Sequence, residues 1–511
     1  MTQDLVIGID SSTTATKAIA FDRSGKVHGE GRAQIPLHNP KPGHFEQDAA
    51  DWWTALVQAL QDLSKQVDMA RVHSLGISNQ RETFVPLDNE NQPVRAGTVW
   101  LDERAKLEVK ELAALYGAQE IHETTGKPAD VAPCLYRLQW MRKHEPENFK
   151  RFAMILEVHG YLASRLSDAH VSSTASADPA AFLDMRSMDY ADRLIELVGM
   201  KRSQFPQLFM PGSIMGRVSE AIARQTGLKA GTFVVSAGGD GQCAGTGVNV
   251  FEKNRAYVNL GTAVVSGIYS KNYAVDPAFR TMTAVSDQGG YIYESVLRTG
   301  SFLVEWFVKN LFQAKAGGDA ALFAELDKEA RAVGIGAGGV TVLPYWAGVM
   351  TPYWNADARG VIAGLSASHG RGHVYRALLE GIALEQTLAT NAGAKASGME
   401  VDHYVAIGGG SKSDLWCQIL ADASGRKVYR SATVEASALG AAMAAAKGAQ
   451  WFETVEEASK AMAGELTNSF DPQPEAAKRY RELLNIYADL WPALANWNER
   501  LSAFTETESP S

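Results

Sequence analysis

Cysteine is scarce: Cys134, Cys243 and Cys417 are the only three in 511 residues, and their wide spacing excludes both a disulfide framework and a zinc-ligand set. Long apolar runs are missing too. None approaches the ~18 residues of a membrane span, and no basic-then-apolar signal opens the chain, so a cytoplasmic protein with no membrane partner is expected. Positive charge is in deficit: a net charge of −9 argues against nucleic acid as a partner and favours a small-molecule substrate. The Gly-x-x-x-x-Gly-Lys-Ser/Thr loop is also lacking, which leaves the P-loop class unsupported.

What is present is an ordinary soluble composition, 46% hydrophobic and 21% charged, in a chain too long for one core. Two domains are therefore expected. Leu5 to Asp10, a turn over Ser11 to Thr16, and Lys17 to Asp22 read as a β-hairpin with a hydroxyl-rich bend. Arg255 to Leu260, Gly261-Thr262-Ala263, and Val264 to Tyr269 repeat that plan. Between the hairpins lie helical stretches (Ala49 to Asp68, Tyr136 to Lys143) and strands (Val72 to Ile77), which makes the class α/β. Val374, Leu378 and Ile382 predict an amphipathic helix over 373–391. Tyr480, Leu483, Tyr487 and Leu494 predict a helical tail interrupted by Pro492, with frayed polar residues from Thr505 onward.

A single carboxylate, Asp240, sits in the run Ala237-Gly238-Gly239-Asp240-Gly241-Gln242 after the apolar Phe233-Val234-Val235. At a strand exit among glycines it reads as a base that a ligand can approach closely, or as a cap on the next helix; the residues leave both open. Phosphates are held by backbone N–H groups in tight turns and by hydroxyls. The first turn offers Ser11, Ser12, Thr13, Thr14 and Thr16, and the second Gly261 and Thr262. Asp10 at its strand end suits hydrated Mg²⁺. Gly408-Gly409-Gly410-Ser411, between a strand over 404–407 and a helix over 414–423, suits a nucleotide moiety, though glycine triplets often only make turns. Asn79-Gln80-Arg81-Glu82-Thr83 mixes amide, guanidinium and carboxylate groups suited to a polyhydroxylated substrate, or forms an ordinary surface ion pair.

Taken together, these segments resemble the FGGY carbohydrate kinases of the actin, hexokinase and Hsp70 ATPase superfamily across nearly the whole chain. Gly8 to Ala18 resembles the family's first phosphate motif, although Ser12 and Ala15 stand where glycines are usual. Glu46-Gln47-Asp48 through Trp52-Trp53 is similar to its acidic-aromatic segment, and Leu260-Gly261-Thr262 to its second phosphate motif. Pro344 to Trp354, Asp357 to Gly360 and Gly364-Leu365 resemble the second signature region. Gly408 to Ser413, with Glu435 and Leu439 to Ala442, resembles the adenosine motif.

The resemblance implies two RNase-H-like (actin/hexokinase-type) domains facing each other across a cleft. It places a sugar-binding N-terminal domain over residues 1–245, an ATP-binding C-terminal domain over 246–475 and a helical tail over 476–511. It implies ATP and Mg²⁺, with Asp240 as general base and Asp10 as the Mg²⁺-associated carboxylate. Gln80, Arg81, Glu82, Trp100, Asp240 and Gln242 would bind the sugar. Ser12, Thr13, Thr14, Lys17, Gly261, Thr262, Gly300, Gly409, Gly410 and Ser413 would bind ATP. A homo-oligomer, such as a dimer, is expected.

For the substrate, Asn79 to Thr83 with Val99-Trp100 is similar to glycerol kinases, while Ala132 and Val265 stand where those enzymes carry larger aromatics and leave room for a longer carbon chain. The second half is more similar to xylulokinases, yet their methionine-histidine pair is replaced by Arg81-Glu82. The leading expectation is a ketopentose or related polyol kinase with D-xylulose first, and glycerol or another polyol second. Two readings of other classes are a chaperone-like ATPase, for which the segment after Pro474 is too short, and a non-catalytic sugar sensor, against which Asp10, Asp240 and the nucleotide turns stand.

Overall fold

Two hairpins seed two sheets. The computed structural model describes residues 3–312 and 320–506. In the first half, β1 (Leu5–Ser11), β2 (Ala15–Phe21), β3 (Val27–Gln34), β4 (Val72–Asn79), β5 (Ile214–Arg217) and β6 (Phe233–Val235) form one sheet in the order β5-β6-β4-β1-β2-β3. In the second, β7 (Arg255–Leu260), β8 (Val264–Ser270), β9 (Met282–Val285), β10 (Tyr291–Leu297), β11 (His403–Ile407), β12 (Lys427–Ser431) and β13 (Leu466–Phe470) form another in the order β9-β10-β8-β7-β11-β12-β13. Each sheet contains the same plan. Three antiparallel strands (β3-β2-β1; β10-β8-β7) are continued by two parallel ones (β4-β6; β11-β12). The repeated hairpin is thus the first part of a repeated lobe.

The parallel strands β1, β4 and β6 are buried along nearly all of their length, as strands covered on both faces are. α1 (Ala49–Ser64) covers one face of the first sheet through Trp52, Leu56, Ala59, Leu60 and Leu63, spaced three or four apart on one helical stripe. α2 (Cys134–His144) belongs to a separate apolar cluster beside that sheet.

The other face of each sheet is covered from the opposite half of the chain. α3 (Asp240–Gly247), which follows β6, packs on the second sheet, where Ala244 joins Tyr257, Ile292 and Val405. α4 (Ser301–Asn310), α5 (Arg371–Ser397) and α6 (Asp414–Ser424) build the second lobe. α7 (Ala436–Gly448) then returns to the first sheet, its Ala438, Leu439, Ala442 and Met443 packing against Val6, Ile19 and Phe21. The two exchanged helices cross at backbone contact: a Cβ on Gly440 would stand 1.9 Å from the Cys243 carbonyl oxygen.

Two sequence expectations change here. The helix expected over 373–391 as amphipathic is α5, and it is buried on nearly all sides. Leu378 and Ile382 lie in the core, but so do Glu380 and Glu385, neutralised or bonded by Arg376, Tyr480, Tyr345 and Tyr487. The tail forms α8 (Pro474–Ala488) and α9 (Leu490–Glu506). Pro492 lies in the first turn of α9, where the missing N–H costs nothing, so the break falls at Asp489 instead. The fraying expected at the C-terminus falls largely on 507–511, outside the described residues.

Candidate active site

Because β1, β4 and β6 run parallel, their C-terminal ends emerge at one edge, the usual place for ligand chemistry in such sheets. Asp10 is the penultimate residue of β1, Gln80 and Arg81 follow β4, and Asp240 follows β6, with Asn79 and Gly239 bridged side by side. Asp10 pairs in register with Ser78, whose Oγ donates to its Oδ1 at 3.2 Å. Burial pushes the Asp10 carboxyl up to about 7, helped by the charge of Asp240 and opposed by Lys17. No Lys or Arg among the described residues forms an ion pair with it.

Asp240 is the first residue of α3; the cap position belongs to Gly239. Its Oδ1 accepts from the Gly241 N–H at 2.8 Å and faces Arg81 Nε at 3.3 Å, while the side chain stays 44% exposed to the cleft. The carboxylate therefore does a little of what a cap does and still faces a ligand space. Enclosure raises its pKa, and Arg81 opposes the rise.

Asp10, Ser12, Lys17, Arg81, Glu82, Trp100, Asp240 and Thr262 line one cleft of about 400 Å³ together with Ala132 and Val265. A larger cavity of about 960 Å³ lies elsewhere, between Arg23, Lys447 and Trp451, and contains none of these carboxylates. Chemistry selects the smaller one. Glu82 is pushed up to about 7 by burial, with Arg81 opposing. Lys17 of β2 pairs with Glu435 just before α7. Trp100 donates from Nε1 to Thr13 Oγ1 at 3.0 Å.

Other expected site residues are placed differently. Gln80 donates to Gln47 Oε1 at 2.8 Å, and Gln242 donates to the Ala175 carbonyl at 2.9 Å and to Asp178 Oδ1 at 3.2 Å; both are buried and brace the turns rather than line the cleft. The Ser11 and Thr16 hydroxyls do not supply donors to the first turn. As cross-strand partners on a buried face they bond each other at 3.1 Å. Ser12 Oγ is turned to the Ala15 carbonyl, and Thr14 is exposed. Gly261 and Thr262 dock on the start of α4: Gly300 N–H donates to the Thr262 carbonyl and Ser301 N–H to that of Gly261, each at 2.7 Å. Gly409 has open space where a Cβ would be, Gly410 abuts the Trp416 ring, and Ser413 caps α6 by accepting from Trp416 N–H at 3.2 Å. That turn lies outside the lining of the small cleft.

Sequence reasoning missed Tyr257, Met282, Glu294, Val296 and Met350. Four of them line the cleft, and Glu294 pairs with Arg81 behind it. The available signal was Glu294 itself, a lone acid in the apolar strand Tyr291–Leu297, which must be paired if buried.

Comparison with known proteins fits this geometry. The N-terminal domain of the FGGY family of carbohydrate kinases matches residues 5–247, and the family's C-terminal domain matches 256–449. A xylulose kinase of Bacillus subtilis (strain 168) is 27% identical over 98% of this chain and 99% of its own length. One of Escherichia coli (strain K12) is 29% identical over 96% of this chain and 100% of its own length. Among solved structures, a ligand-bound xylulose kinase from Lactobacillus acidophilus superposes with a TM-score of 0.91 at 22% identity, covering 97% of this chain and 99% of that one. That likeness establishes the two-lobed actin/hexokinase-type fold. With both family domains matched in order along an α/β chain of two repeated lobes, the protein belongs to the FGGY family of carbohydrate kinases and is an ATP-dependent sugar kinase.

Proposed function

We propose that the enzyme phosphorylates a ketopentose, D-xylulose first, with Asp240 as general base. The observation that carries the base assignment is the unequal use of the Asp240 carboxylate. Oδ1 holds both the Gly241 N–H and Arg81, which leaves Oδ2 as the oxygen to take a proton. A sugar hydroxyl lying against Oδ2 loses its proton as its oxygen attacks the γ-phosphate of ATP in line, and ADP leaves. Arg81, Glu82 and Trp100 orient the sugar, and the turns at Ser12–Thr14 and Gly261–Thr262 hold phosphate, with Lys17 beside them. Residues 1–245 and 246–475 act as the two sides of the cleft. Asp10 fits Mg²⁺: it is an enclosed carboxylate at a strand end with no Lys or Arg ion-paired to it among the described residues, and the ion keeps several waters while using one or two carboxylates. When bound, Mg²⁺ neutralises charge on the phosphates.

The xylulose kinase relatives and the small side chains Ala132 and Val265 in the cleft wall support a five-carbon acceptor. Arg81-Glu82 and Trp100 in the lining favour the second reading, glycerol or another short polyol. A panel of pentuloses, pentitols, tetritols, glycerol and gluconate with ATP, scored by kcat/KM, decides between them. Asp240→Asn should abolish sugar-dependent ADP production while nucleotide binding survives; retained turnover would remove the base assignment.

A further inference from the structure

Along β10 side chains alternate between the two faces of the sheet, which sends Glu294 and Val296 to the cleft side and Ser295 toward Gln386 of α5. The Glu294 side chain has no exposure at all. A buried carboxylate is costly unless paired, and apolar residues in place of the whole pair would serve stability as well or better. Its partners are specific: the Arg81 Nη1 from the opposite lobe, and the Tyr257 hydroxyl of β7 at 2.7 Å. Gly241 is what makes the room, since a Cβ there would lie 2.7 Å from the Glu294 carboxylate.

We propose that Glu294 is a positioning residue: anchored by Tyr257, it takes one arm of the Arg81 guanidinium from across the cleft, so that Arg81 meets Asp240 through Nε and leaves the second carboxylate oxygen open. The planar guanidinium fork otherwise favours a bidentate grip on a carboxylate. Such a grip on Asp240 would occupy both oxygens and remove the proton acceptor. With Nη1 committed to Glu294, Arg81 keeps its place beside the sugar, and Nε is the atom it presents to Asp240, 3.3 Å from Oδ1. Glu294 does not touch the reacting atoms; it acts through Arg81.

This inference rests on the reading of Asp240 as base, and the experiment separates the two. Glu294→Gln, Arg81→Gln and the double variant are made in the full chain, with Asp240→Asn in parallel. They are assayed with ATP and D-xylulose or glycerol, whichever the parent turns over faster, and ATP binding and thermal unfolding are measured alongside. Glu294→Gln should lower kcat about tenfold or more, the scale of a small misplacement of a reacting group, with KM for ATP unchanged. The double variant should be no slower than Arg81→Gln alone, because the effect passes through Arg81. Full kcat in Glu294→Gln, or losses that multiply in the double variant as a purely structural role would give, overturns the inference. If Glu294→Gln does not fold, Tyr257→Phe carries the test by removing only the anchoring hydroxyl. A lowered kcat at unchanged KM for ATP is then expected, and full kcat overturns it. Full turnover in Asp240→Asn would defeat the base assignment; turnover lost there but kept in Glu294→Gln defeats the Glu294 role alone.

Discussion

Lys17 of β2 and Glu435, the residue preceding α7, meet side chain to side chain within the cleft lining, so the first hairpin is tied to the second half of the chain. Both side chains are partly exposed, and a pair of this kind is worth about 0–1 kcal/mol to stability. Its effect should lie in nucleotide binding. The carboxylate holds an ammonium that ATP phosphates would otherwise attract. Glu435→Gln should lower KM for ATP with little change in melting temperature, and Lys17→Met should raise it; steady-state kinetics that show the opposite order would contradict the role given to Lys17.

As the proposed base, Asp240 must be deprotonated to act, so kcat/KM falls as pH drops through its pKa. Enclosure raises that pKa above the ordinary carboxylate value and Arg81 holds it down. Removing the cation in Arg81→Gln should therefore move the acid limb of the pH profile to higher pH. An acid limb that stays in place or moves downward would show that another group governs it.

Ala132 and Val265 line the cleft proposed to take the sugar chain. Ala132→Tyr, which fills that room, should shift the preference between glycerol and pentuloses toward glycerol by about 1–3 kcal/mol in kcat/KM. Val265→Phe should act in the same direction. If neither substitution changes the ratio, the sugar does not extend past these residues.

A methyl at Gly440 would meet the Cys243 carbonyl oxygen, a backbone atom that cannot swing aside. Gly440→Ala should cost about 1–3 kcal/mol, the usual penalty for overpacking, whereas Gly370→Ala, with open space around it at the N-cap of α5, should cost less, on the scale of a cap preference alone. Equal melting temperatures for the two variants would mean the helix crossing is looser than its geometry indicates.

The parts of the site legible in the sequence were those that local chain chemistry dictates. Asp10, Lys17 and Asp240 stand beside short turns at the ends of apolar strands, and strand ends are readable from composition and period. What stayed hidden depends on pairing between distant segments. Ser11 and Thr16 look like free donors until the hairpin register makes them partners. The amide nitrogens of Gln80 and Gln242 look free until Gln47, Ala175 and Asp178 arrive from elsewhere to accept from them. Tyr257 and Glu294 reach the cleft region only because two strands of the second sheet direct them there. The hydrophobic period around Val374 showed a helix but not its depth, since burial on nearly all sides is set by what packs around α5.

The exchanged helices also bear on how the chain is made. The face of β1 and β2 formed by Val6, Ile19 and Phe21 is covered by Ala438, Leu439, Ala442 and Met443. A ribosome that has released every strand of the first sheet has not yet made the helix that seals it. Co-translational folding, which usually completes domains from the N-terminus onward, must here leave the first lobe unfinished until the second is nearly synthesised. The two lobes finish as one unit, and a fragment ending between them is left with an open apolar face.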